Sequence, residues 1–256
     1  MKKQDQFTII ENISLPDRDF ILNVRPQHHT LNGVHPGQFV NILIPDSSDT
    51  FLRRPISVCD VDIETNVLTL YIKKVGKGTH HLSTRKTGDS LDILFPLGNG
   101  FVFEGVKHPL LLGGGAGIAP MVYLSKEIRK TGVCPQVLLA GKTAEALDIR
   151  RLFEEAPTLC TDDGSLGEKG LITQHPLMRD LSAFDRIFCC GPTPMMKAVA
   201  RLAENAGVPC MVSMENTMAC GLGACLCCIT PTEHHGNQCV CTDGPVFDSR
   251  ELKSFH

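Results

Sequence analysis

The sequence predicts a mixed β and α/β chain in three parts: an N-terminal antiparallel β-barrel, a central parallel α/β domain and a small C-terminal module organised by cysteine. Three observations predict it. Short β-branched segments recur up to about residue 103, apolar strands then alternate with amphipathic helices up to about 210, and cysteine crowds the remainder. The boundaries are therefore placed at 1–103, 104–210 and 211–256.

In the first part the segments FTIIENIS, FILNV, QFVNILIP, NVLTLYIKK and SLDILFP each have strand composition, with turn signals such as His35-Pro36-Gly37 and the Gly76–Gly78 region between them. Strands at this spacing close most readily as a small barrel. In the second part HPLLLGGG runs into a helix over MVYLSKEIRK. QVLLAG, a polar helical stretch around 144–155, DRIFCCG and the helix MMKAVARLAEN follow. Such βαβ units build a parallel sheet. The third part has little periodicity.

Composition narrows the function classes. With 256 residues, 42% hydrophobic and 21% charged, the chain can bury a substantial core, and a net charge of −3 gives no basic footprint for nucleic acid or a membrane surface. No secretory leader or spanning segment is read, so a cytoplasmic setting is expected. In that reducing setting, twelve cysteines point to a metal centre rather than a disulfide framework.

Six of the twelve, Cys220, Cys225, Cys227, Cys228, Cys239 and Cys241, lie within the last part. Cys220-x4-Cys225-x2-Cys228 followed by a distant Cys241 is the spacing of a plant-type [2Fe–2S] site. Gly221 and Gly223 suit a loop that brings N–H groups to sulfur. A four-cysteine zinc site uses the same thiolates, although zinc ribbons usually present paired C-x2-C knuckles. Both metals remain open on spacing alone. Cys228 and Cys241 are chosen over Cys227 and Cys239 because they preserve the spacing.

Gly113, Gly114, Gly115 and Gly117 form a turn between a strand and a helix, where amides and the helix dipole favour a pyrophosphate. The pattern departs from G-x-G-x-x-G at Ile118 and Pro120, and a plain strand-to-helix turn is the alternative. Cys190, Gly191 and Pro192 close a later strand at the same sheet edge, which favours a ligand crevice over two unrelated turns. In the barrel, Arg54, Pro55, Ile56 and Ser57 set a guanidinium and a hydroxyl on a strand, and Gly76-Lys77-Gly78-Thr79 offers N–H donors for a diphosphate. A surface ion pair and a hairpin turn are the bland readings of these two segments. Nicotinamide carries two electrons as hydride and a [2Fe–2S] cluster takes one, so a chain holding both sites needs a flavin between them. The barrel is the part left to hold it.

Taken in order, RRPIS, GKGT, LLGGGAGIAP, CCGP and MACGLGACLCC…CTDGPVF resemble the ferredoxin-NADP reductase superfamily. Within it they resemble the electron-transfer subunits of bacterial dihydroorotate dehydrogenase B. The likeness runs along essentially the whole chain, and the cysteine segment is its most specific part. It implies FAD, NAD and one [2Fe–2S] cluster. Arg54, Pro55, Ile56 and Ser57, the strand Leu70, Ile72 and Lys73, and the loop Gly78 and Thr79 would hold the flavin. Gly113, Gly114, Gly115, Gly117, Cys190, Gly191 and Pro192 would hold the nicotinamide cofactor, and Cys220, Cys225, Cys228 and Cys241 the cluster. NAD rather than NADP rests on the resemblance, since Lys142 is suited to a 2′-phosphate.

The resemblance also implies a partner, an FMN-containing dihydroorotate dehydrogenase catalytic subunit, in a heterotetramer of two of each. Electrons would pass from dihydroorotate to the partner's FMN, then to the cluster, FAD and NAD+. No residue of this chain is expected to act as a general acid or base. Cys227 departs from the pattern, standing where a small residue is expected. Two alternatives are carried: an electron-transfer subunit of a related transhydrogenase or hydrogenase complex, and a zinc-stabilised nucleotide-binding regulatory module.

Overall fold

In the computed structural model, which describes residues 1–45 and 49–255, period-2 burial drives the first domain into a closed barrel. Its strands are β1 (Lys3–Ser14), β2 (Asp19–Pro26), β3 (Phe39–Ile42), β4 (Arg54–Asp62), β5 (Val67–Lys73) and β6 (Ser90–Leu97). They are antiparallel and close in the order β1-β2-β5-β4-β3-β6. Along β6 every second residue is buried, so Leu91, Ile93 and Phe95 fill the interior with Phe7, Leu22, Leu70 and Ile72. Phe7 and Phe95 meet edge-on at 4.9 Å between ring centres.

The Gly-Lys-Gly-Thr segment, expected as an open loop, instead starts the helix α1 (Lys77–Ser83). The cause is local. The Thr79 hydroxyl accepts from the Val75 and Gly76 N–H groups at 3.0 and 3.1 Å and donates to the Gly76 carbonyl at 3.0 Å. It thereby caps the helix from within its own first turn.

The second domain is built on β7 (Pro109–Gly114), α2 (Ile118–Lys130), β8 (Gln136–Gly141), β9 (Thr158–Thr161), β10 (Glu168–Lys169), β11 (Arg186–Cys190), α3 (Thr193–Asn205) and β12 (Cys210–Ser213). The polar stretch near 144–155 forms a 3-10 helix over Glu145–Leu152. Strands β7, β8, β9, β10, β11 and β12 pair in parallel, and every residue of β7 is buried because both sheet faces are covered. Leu110 and Leu112 pack on one side of the sheet and Leu111 on the other.

The tail adds a small hairpin, β13 (Ile229–Pro231) with β14 (Asn237–Cys239), and a final strand, β15 (Val246–Asp248). β15 pairs antiparallel with β12, giving the sheet order β10-β9-β8-β7-β11-β12-β15. One strand of the C-terminal segment thus extends the nucleotide domain's sheet, while its hairpin stands apart. Asn99 bolts the segment to the barrel as well: its Nδ2 donates to the carbonyls of Asp243 and Val246, its Oδ1 accepts from Val246 N–H, and its own N–H donates to the Gly244 carbonyl.

Candidate functional site

A cavity of about 320 Å³ opens where the three parts meet. β4 contributes Arg54, Pro55, Ile56 and Ser57, β5 contributes Tyr71, Ile72 and Lys73, and α1 contributes Thr79. The opposite wall is Ala116 and Ala119 at the start of α2, together with Ser213, Met214, Glu215, Asn216 and Met218 on the stretch that leads to Cys220.

The two flavin motifs converge at Gly78. A Cβ there would stand 2.7 Å from Arg54 Nε, so the guanidinium lies flat on the glycine, which no other residue permits without displacing it. Arg54 Nη1 donates to the Leu52 carbonyl at 2.6 Å, which fixes the fork's direction. Leu70 is fully buried in the barrel core, away from the cavity, and Tyr71 lines the cavity in its place. Asp19 anchors both polar groups there. Its carboxylate accepts from Lys73 Nζ at 2.6 Å and from the Tyr71 hydroxyl, and burial together with that carboxylate pushes the Tyr71 hydroxyl well above its ordinary range.

Glu215, which the sequence reading missed, faces the cavity from the far wall, and loss of hydration raises its carboxyl above the usual carboxylate range. Nothing in its local sequence marks it. It precedes the cysteine run by five positions, and only the fold turns it toward β4.

At the carboxyl edge of the sheet the glycine turn is shorter than expected. Gly113 and Gly114 belong to β7, because β11 and β8 flank that strand on both sides and pair with its last residues; the turn itself is Gly115–Gly117. Gly115 takes a left-handed φ of +57°. Gly117 answers a different need. A Cβ on it would stand 2.3 Å from both C and O of Cys190 and 2.4 Å from Gly191 N, so the two loops touch backbone to backbone. Pro192 caps α3, whose Met195 fills the space beside Gly114 and Gly191. The Cys190 thiol is buried, donates to the Ser213 carbonyl at 3.5 Å, and is pushed up to about 12 by burial and by the nearby Glu215 charge.

The four predicted ligands divide by burial, and Cys239 also lies close to Cys228. Cys220 and Cys225 reach the surface, while Cys228 and Cys241 are buried in the apolar cluster that includes Phe39 and Leu97 of the barrel. The Leu222 N–H donates to Cys220 Sγ at 3.3 Å and, with other loop N–H groups, brings that thiol down to about 6. Cys241 is raised to about 12 by burial first and by Cys228 second, with the Gly223 N–H opposing. Cys239 is buried beside Cys228, and Cys227 is exposed.

Among the described residues no three His, Cys, Asp or Glu side chains converge as on a single metal ion. Four cysteines at this spacing, with the Leu222 N–H donating to Cys220 Sγ, fit a binuclear iron–sulfur centre. A tetrahedral zinc site asks for all four sulfurs around one point.

Comparison with known proteins agrees with this geometry. Residues 215–253 match the family described as the iron–sulfur cluster binding domain of dihydroorotate dehydrogenase B. The dihydroorotate dehydrogenase B (NAD(+)) electron transfer subunit of Geobacillus sp. (strain WCH70) is 36% identical over 260 residues, covering 98% of this chain and 99% of the relative. This chain belongs to the dihydroorotate dehydrogenase B electron transfer subunit family. The electron transfer subunit of Clostridium acetobutylicum is 38% identical, with 95% of each chain covered. Among solved structures, the NADH-dependent reduced ferredoxin-NADP oxidoreductase studied for flavin-based electron bifurcation has a TM-score of 0.86 at 31% identity, covering 96% of this chain and 89% of that one. For an electron transfer subunit the match beginning at Glu215 is informative, since it takes in Glu215, Asn216 and Met218 of the far wall along with all four predicted ligand cysteines.

Proposed function

We propose that this chain is the NAD-linked half of a dihydroorotate dehydrogenase. It would bind FAD in the cavity, NAD at the sheet edge and a [2Fe–2S] cluster on Cys220, Cys225, Cys228 and Cys241, and would pair with an FMN-containing catalytic subunit as a cytoplasmic heterotetramer. One observation carries the reading: a single cavity is walled by the barrel motif, by the turn at α2 and by the stretch entering the cysteine loop. When bound, the flavin exchanges a hydride with nicotinamide and single electrons with the cluster.

The chain's own residues supply position and electrostatics. Arg54 and the α1 amides present positive charge and N–H groups to a diphosphate. Ser57 offers a hydroxyl on the wall that faces Ala116 and Ala119. Lys73 is held by Asp19 and so stays fixed in direction. The contact of Gly117 on Cys190 sets the width of the nicotinamide crevice. Around the outer cysteine pair, Leu222, Leu226 and Ile229 are exposed apolar side chains, which supports a protein partner covering that end. Among the described residues no helix is long and apolar enough to cross a membrane.

The test is anaerobic purification with iron, sulfide and flavin analysis, followed by mixing with an FMN dihydroorotate dehydrogenase subunit. Bound FAD, two irons and two sulfides, and dihydroorotate-dependent NAD+ reduction only in the mixture, are expected. Zinc without flavin would sink the redox reading. A loaded chain that forms no complex and gives no such activity would favour the second reading, a transhydrogenase-type subunit, which the likeness to the ferredoxin-NADP oxidoreductase supports.

A further inference from the structure

Asn41 is the one polar residue in the buried strand β3, whose four residues are all inaccessible. Its own exposure is 0%, and neither Nδ2 nor Oδ1 has a hydrogen-bond partner among the described residues. A buried amide left in this condition is destabilising, and native chains rarely keep one without a use for it.

The surroundings say where the amide points. Strand alternation puts Val40 and Ile42 into the barrel interior, so Asn41 lies on the outer face with Phe39, and the β3–β4 register sets it opposite Pro55 of the flavin motif. On that outer face the cysteine loop covers it. A Cβ on Gly221 would stand 2.8 Å from Asn41 Nδ2 and 3.6 Å from its Cγ, with Leu97 at 3.4 Å. Gly221 directly follows Cys220 and has a left-handed φ of +70°. The Asn41 main chain is held too: Arg53 Nη1 donates to its carbonyl at 3.3 Å while Arg53 Nη2 pairs with Asp92 at 2.7 Å. The side chain is therefore mounted on a fixed strand, between the flavin wall and the first cysteine of the loop.

We propose that Asn41 is a positioning residue for the iron–sulfur cluster, its amide N–H donating to a sulfur at the Cys220 end. This rests on the iron–sulfur reading given above. Cluster sulfurs, thiolate or sulfide, only accept hydrogen bonds, so the orphaned donor is the half of the amide with a role there. Reduction adds one negative charge to the cluster, so a donor at its sulfur favours the reduced state and raises the potential.

The test uses the full chain with its cofactors and its catalytic partner, comparing Asn41→Leu and Asn41→Ser with the unmodified protein. Iron and sulfide content is measured first: if the unmodified chain holds neither, the iron–sulfur reading itself has failed. With the cluster loaded, Asn41→Leu is expected to lower the reduced-to-oxidised ratio about tenfold at a given applied potential, about 59 mV for a one-electron couple. Asn41→Ser, which keeps a shorter donor, should fall between, and the flavin couple should stay where it was. Pulsed EPR of the reduced, 15N-asparagine-labelled unmodified chain should show a nitrogen coupling that Asn41→Ser, whose side chain has no nitrogen, abolishes, and this holds even if Asn41→Leu does not fold. A full iron complement with the cluster potential unchanged in the variants, or a shift confined to the flavin couple, or no asparagine coupling, overturns the proposal while leaving the cluster in place.

Discussion

Gly117→Ala is the sharpest perturbation of the proposed nicotinamide crevice. The added Cβ would stand 2.3 Å from the Cys190 carbonyl carbon and oxygen, whereas ordinary contact begins near 3.4 Å, so the two backbones must part by about 1 Å. Neither side yields easily. Cys190 ends β11, which is paired on both sides with β7 and β12, and Gly117 leads directly into α2, which packs on β4 and β7. Overpacking of this kind costs about 1–3 kcal/mol, and in a chain of this size each kcal/mol lowers Tm by about 2–4 °C. A displacement of about 1 Å beside the reacting ring is enough to slow transfer about 100-fold.

The assay is NADH oxidation by a hydride-accepting dye, read beside a flavin-fluorescence melt. Gly132→Ala is the control. Its φ of +84° is also left-handed, but open space surrounds its Cβ and it lies at the far end of α2, so it should cost about 1–2 kcal/mol of stability and leave the dye rate alone. If Gly117→Ala keeps its dye rate, or if Gly132→Ala loses its own equally, the contact between the loops does not set the crevice.

Three other outcomes are expected. Arg54→Ala removes a charge-assisted phosphate contact of about 1.5–3 kcal/mol, so FAD affinity measured by equilibrium dialysis should fall roughly 10- to 100-fold; unchanged retention would take Arg54 out of the site. Cys225→Ser should abolish iron and sulfide loading while dye reduction by NADH through FAD persists, and equal collapse of both would mean that they are not separate stations. Glu215→Gln bears on pH. The folded carboxyl titrates above its ordinary 4.5, so the native state binds more protons than the unfolded chain and loses stability as pH rises from 4.5 through the raised value. With flavin removed, the variant should therefore melt higher than the parent at pH 7–8 and level with it below pH 4; a difference independent of pH would contradict this.

What the sequence revealed, and what it hid, divides by range. The cysteine spacing is local, and residues 215–253, which hold Cys220, Cys225, Cys228 and Cys241, match the iron–sulfur domain family. Strand periodicity is local as well, so the barrel and the parallel sheet were legible. The start of α1 was hidden because Gly-Lys-Gly-Thr has turn composition, and a single hydroxyl decides its conformation. Gly113 and Gly114 read as turn residues until strands on both sides claim them. Tyr71 and Leu70 are neighbours, and only the closed barrel settles which one faces out. Glu215 and Asn41 acquire meaning only where the tail folds back over β3 and β4. Asn41 alone left a trace, a lone amide in the apolar run FVNILI.

The return of the tail is also what makes three sites into one device. A cluster loop tethered only by its own strand would drift relative to the flavin wall, because the loop itself contributes mostly exposed residues around Cys225. Instead it is fixed from two directions. β15 locks into β12, whose last residue, Ser213, lines the cavity, and Asn99 at the end of β6 makes four hydrogen bonds to the segment just after Cys241. Gly98 sets this joint, since a Cβ there would meet Pro245 at 2.4 Å. The buried cysteines share one apolar cluster with Phe39 of β3 and Leu97 of β6. The outer pair remains at the surface with its apolar rim. The barrel's outer face, rather than a flexible linker, thus sets where the cysteine loop sits relative to the proposed flavin wall.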